Sequence, residues 1–204
     1  MTTQRFFRLV VALFVFGTLV VQADEAFSVE GTLAARAEKD AMMRDNENSP
    51  FNLEKHPVVF SPLKYFEPDA WVFQSKLTVL AEPEPITIFD TKGRARDGEL
   101  YGSLKISRDG RTHLVRVYRM EIPDGHYFGI WFTDRTTGKE TYEVGRYLDF
   151  ERSADPDHIY TLDFNLAYNP YCAYSPAYGC AIPPEEDFLD LAITAGEKRW
   201  HDSE

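Results

Sequence analysis

The chain has 204 residues, with 33 acidic side chains against 22 Lys and Arg, a formal charge of −11. That balance repels polyanions, so nucleic acid and anionic lipid are excluded as partners. The length suits one domain with a core of its own, and 14% aromatic content argues against a disordered chain.

Residues 1–23 read as a cleavable signal peptide. Arg5 and Arg8 precede an apolar run over 9–21, and Val21-Gln22-Ala23 offers small or modest residues for a cut after Ala23. The run has 13 residues, where a spanning helix needs about 20. No Cys sits near the cut and no twin-Arg pair precedes it, so the expectation is a periplasmic or secreted protein that leaves the membrane after cleavage. Removal of the leader takes two Arg and no acid, leaving 24–204 as a single β-rich domain of charge about −13. Residues 27–46 are helix-friendly: Ser28 is a natural cap, and 33–43 lacks Gly, Pro and β-branched residues. The apolar face is thin, so this helix is expected to lie across the surface of something larger.

From Trp71 the pattern turns to period two. Strand candidates are 71–80, 86–89, 99–106, 112–119, 127–133, 140–148, 159–164 and 188–194. In 99–106, Leu100, Gly102, Leu104 and Ile106 fall on one face. Arg108-Asp109-Gly110-Arg111 signals a tight hairpin. Short strands joined by turns predict a mainly β fold, an antiparallel β-sandwich or barrel-like domain with the N-terminal helix packed on it.

Motifs of familiar chemistry are missing: no G-x-S-x-G elbow, phosphate-binding Gly loop, dinucleotide fingerprint or H-E-x-x-H. The five His have no ligand spacing, and Asp155-Pro156-Asp157 lacks the Gly and Glu of a calcium loop. No metal or cofactor is implied. The dense region is 133–198, with seven of the 11 Tyr lying from Tyr142 to Tyr178. It carries Asp134-Arg135-Thr136-Thr137-Gly138-Lys139-Glu140-Thr141-Tyr142, then Gly145-Arg146-Tyr147-Leu148, then Asp163-Phe164-Asn165-Leu166-Ala167-Tyr168-Asn169-Pro170. Cys180, Pro183-Pro184 and Ala195-Gly196-Glu197-Lys198 complete the set.

Over residues 35–200 these runs resemble the domain-of-unknown-function family 1684, an uncharacterised bacterial and archaeal family. The departures are mild: Thr137 where Ser is common, Ala181 in place of Pro, and Asp187 where Asn is usual. The resemblance implies a β-rich core and no established activity.

Two readings stay open for the candidate residues. Asp134 and Glu140 flank a turn, with Arg146 a strand later, either locking that turn or forming an Arg–carboxylate floor to a pocket. Asp163 and Asn165 share one face at a strand end, with Tyr142, Tyr168 and Asn169 nearby, as a small polar ligand would want or as an internal network would. Three functions follow: binding of a small polar molecule, a hydrolase using Asp134, Glu140 or Asp163 as paired carboxylates on a sugar- or ester-like substrate, or a structural or partner-binding envelope protein. Glu197 is either half of a surface ion pair or part of the site rim. Cys172 and Cys180, separated by seven residues, read first as a disulfide in an exported chain, ahead of a zinc pair or a catalytic thiol.

Overall fold

A computed structural model describes residues 27–201; the leader 1–23 and its cleavage site lie outside the described residues. Helix α1 runs Val29–Asp45. Ser28 caps it, its hydroxyl accepting the Gly31 N–H at 3.1 Å. The buried positions of α1 are Thr32, Arg36 and Met43. Polar anchors therefore hold it down as much as an apolar stripe does. Arg36 donates to the Phe66 carbonyl at 2.7 Å and the Asn165 carbonyl at 3.1 Å.

Eight strands follow: β1 (Val72–Lys76), β2 (Thr78–Phe89), β3 (Ala95–Arg108), β4 (Arg111–Ile122), β5 (Gly125–Asp134), β6 (Arg146–Asp149), β7 (Ile159–Asp163) and β8 (Phe188–Leu189). β1 and β7 pair antiparallel as a two-stranded sheet. The large sheet runs β2-β3-β4-β5-β6 and curls into a half-barrel. β8 adds to β5 in parallel, beyond the point where β4 stops pairing with it. The mainly β fold with one N-terminal helix is thus present. The sheets are mixed rather than wholly antiparallel.

Two sequence expectations are corrected here. The strand candidate 71–80 is two strands in two sheets, broken at Leu77. β2 then runs through Pro83 and Pro85, which an edge strand with an irregular register tolerates. The even alternation in 99–106 is also interrupted. A bulge in β3 between Leu100 and Gly102 swaps faces. Leu104 and Ile106 enter the main core, and Leu100 packs on the other side of the sheet. Gly102 is required there, because a Cβ would meet the Thr78 carbonyl oxygen at 2.5 Å.

The Asp109-Gly110 hairpin behaves as read, with φ of 52° and 72°. The main core lies between the large sheet and β1–β7, where Val117, Ile130 and Phe132 face Trp71, Leu162 and Phe164. The opposite face carries Ile88, Tyr118 and Trp131, with Met120 and Tyr147 against them. β5 is buried on both faces, which explains its nearly continuous apolar run.

Candidate functional site

A cleft of about 1100 Å³ opens on that opposite face, between the sheet, α1 and the segment from Leu166 to Ala181. Period two in β5 places Tyr127, Gly129 and Trp131 along its floor. Across the ladder, Trp131 pairs with Tyr147 and Gly129 with Asp149. Gly129 lets the flanking rings lean together: a Cβ there would meet Tyr127 at 2.9 Å and Trp131 at 3.1 Å. Trp131 is stacked from behind by Tyr118, centroids 5.1 Å apart and planes 9° off parallel. Tyr147 lies 6.0 Å from Trp131 and 6.0 Å from Tyr168, tilted against both.

Tyr168 donates to Asp149 at 2.7 Å. Burial, then Tyr127 and Asp149, push the Tyr168 phenol far above its ordinary range, so it stays a donor. From α1, Lys39 Nζ sits 4.5 Å from the Tyr168 ring centroid and 2.9 Å from Glu197. Glu197 is fully buried and also accepts from the Asn169 backbone N–H (3.1 Å), Asn169 Nδ2 (3.0 Å) and the Tyr174 hydroxyl. Arg96, at the far lip, donates to Asp90 at 3.2 Å and to the Gly179 carbonyl at 3.0 Å.

Of the residues singled out from sequence, Tyr168 lines the cleft, and Asn169 stands behind it on Glu197. Cys180 also lines the cleft, and the remaining candidates lie elsewhere. Arg146 and Asp134 project to the core face, 1% and 2% exposed and paired at 2.7 Å. Arg146 also donates to the carbonyls of Ala195, Glu197 (3.3 Å) and Ile193 (3.0 Å), tying the C-terminal segment to the sheet. Asp134 accepts from the Thr136 N–H at 2.6 Å and closes the turn. Glu140 is exposed on that turn. Asp163 accepts from the Asn165 N–H at 2.8 Å and caps the short 3₁₀ helix Phe164–Leu166. Asn165 clasps Asp69 through two bonds, at 2.7 and 3.0 Å. Asp134 and Glu140 thus belong to one turn and Asp163 to a separate helix cap, and none of the three lines the cleft.

The disulfide expected of Cys172 and Cys180 is absent; both are free thiols. The Cys172 N–H donates to Cys180 Sγ at 3.2 Å, and the Tyr142 hydroxyl reaches Cys172 Sγ at 3.7 Å. The hydrogen bond from Cys180 leads in lowering the Cys172 thiol to about 7, against the effect of burial. The loop is already held without a bridge, through Thr91 N–H to Cys180 O at 3.0 Å and Ile182 N–H to Phe89 O at 2.9 Å. Among the described residues no His, Cys, Asp and Glu cluster could hold a metal ion.

Sequence reasoning passed over Trp131, Tyr147, Asp149 and Lys39. One signal was there: a Gly with a large aromatic two residues to each side on a strand marks a floor where rings need room.

A family model described as a protein of unknown function (DUF1684) matches residues 58–198. No curated protein matches the chain. Among solved structures, the solution NMR structure of an uncharacterized protein of Haloarcula marismortui is 32% identical. It covers 83% of this chain and 92% of its own, with a TM-score of 0.61.

Proposed function

The chain belongs to the DUF1684 family, and from that premise we propose that it is a small-ligand-binding domain whose site is the cleft between α1 and the sheet. The observation that carries this is the floor built from Trp131, Tyr147 and Tyr168, with polar groups at its rim and a volume in the range of small-molecule sites. The buried pair Arg146–Asp134 and the Asn165 clasp support the reading from behind: they hold the fold and leave the cleft residues free for a ligand. The test is a thermal-shift screen of the full chain against small polar metabolites, run beside Gly129→Val, which drives Tyr127 and Trp131 into the cleft. Hits that stabilise the wild type and are lost in a folded Gly129→Val protein are expected. A screen with no hit, or hits unchanged in the variant, overturns the proposal. We also propose export through residues 1–23. N-terminal sequencing of the protein recovered outside the cytoplasm should begin at Asp24, and recovery of an intact Met1 would sink it.

A further inference from the structure

Resting on that reading of the cleft, we infer that its ligand is an organic cation: an ammonium group, primary to quaternary, on a small apolar body. Charge is the first ground. The cleft is lined by Glu38, Asp97, Glu121 and Asp149 and by Lys39 and Arg96, but period two turns the Asp97 and Glu121 side chains to the other face of the sheet, away from Met120 and Leu100, which leaves the carboxylates of Glu38 and Asp149. Lys39 is neutralised from behind by Glu197, and Arg96 shares Asp90 with Arg94, which lies closer to it at 2.7 Å; both acids have fully buried side chains and do not line the cleft. Among the described residues neither Glu38 nor Asp149 has an ion pair. Their charge is therefore uncompensated at the cleft, on a chain that is itself acidic. An anionic ligand meets repulsion from both, and Lys39 has its charge already taken by Glu197.

Aromatic geometry is the second ground. The Trp131–Tyr147 and Tyr147–Tyr168 planes meet at 54° and 72°, so the rings form an angled wall rather than a flat stack. An open π face on such a wall attracts ammonium groups, with Trp the strongest single face. The protein already uses this wall that way, since Lys39 Nζ stands 4.5 Å over the Tyr168 ring. Asp149 lies beside Tyr147 on the same strand face. Its Oδ1 is engaged by Tyr168, and Oδ2 accepts nothing among the described residues, leaving a counter-charge at the edge of the aromatic wall. Met42, Met120 and Ile122 supply the apolar surface for the body of the ligand.

The experiment titrates the full chain by calorimetry with three probes of one shape: benzyltrimethylammonium, benzyl alcohol and phenylacetate. Benzyltrimethylammonium should bind at least tenfold more tightly than benzyl alcohol, and phenylacetate should not bind. Asp149→Asn, at an exposed position where folding is not at stake, should weaken the cation about tenfold and leave the alcohol unchanged. If the alcohol or the carboxylate binds as tightly as the cation, or if Asp149→Asn spares the cation, the inference is overturned while the cleft remains a binding site. Failure of all three probes also overturns it, and the metabolite screen then judges the cleft independently.

Discussion

Asp134→Asn isolates what the buried ion pair contributes. The substitution keeps size and an acceptor oxygen for Thr136 but removes the charge facing Arg146. The guanidinium then stays in the core, 1% exposed, beside Phe132 and three carbonyls that accept from its terminal nitrogens but leave its Nε–H and its charge uncompensated. Burial already pulls the Arg146 pKa down, and the nearby Asp134 carboxylate is the main force pulling it back. Removing one partner of such a pair costs about 3–5 kcal/mol, out of a total stability of about 5–15 kcal/mol for a domain. With a urea slope of about 2 kcal/mol/M, the unfolding midpoint should fall by about 2 M. The cycle is completed by Arg146→Met and the double variant. The double variant should lose less than the sum of the singles by about 2 kcal/mol, because it no longer buries a lone charge. A loss below about 1 kcal/mol in Asp134→Asn, or strict additivity, would refute this account.

Two further outcomes are expected. Burial pushes Asp187 up to about 6, against hydrogen bonds from Tyr118 at 2.7 Å and Arg116 at 3.2 Å. A folded pKa above the unfolded one gives stability that is complete below about pH 4 and lost as pH rises through 6, a difference of about 3 kcal/mol. Urea unfolding at pH 4.5 and 7 should show it, and Asp187→Asn should flatten it; an unchanged pH slope in the variant contradicts the assignment. Gly196 has φ of +74°, and a Cβ there would lie 2.6 Å from the carbonyl oxygens of Ala167 and Phe164. Gly196→Ala should cost at least about 2 kcal/mol, read as a lower thermal midpoint, and a shift under one degree would contradict it.

Local chemistry was legible in the sequence wherever one residue decides. Ser28 caps α1, and Asp109-Gly110 turns the β3–β4 hairpin. Parity was not legible. Asp134, Arg146, Tyr147 and Asp149 lie within 16 positions, and all are polar or aromatic. Period two sends Asp134 and Arg146 to the core and Tyr147 and Asp149 to the cleft. Sequence shows that neighbours oppose each other but not which face is open, because both faces of this sheet are covered in part. Lys39 was hidden for a different reason. A Lys in mid-helix reads as a solvated residue, and its partner Glu197 is 158 positions away. The thiols read as a bridge because they are an even, closely spaced pair in a chain expected to be exported; the backbone bonds that hold the loop without one were invisible.

The Lys39–Glu197 contact also has a meaning in time. At about 5–20 residues per second, roughly 10–30 s separate the synthesis of Lys39 from that of Glu197. Until the C-terminal segment is made, Arg146 lacks its three carbonyls and Lys39 of α1 lacks its partner. The aromatic floor of Trp131 and Tyr147 is then open to solvent. The chain therefore passes through a partly formed sheet with an exposed apolar face, a state in which a chaperone competes with folding on favourable terms.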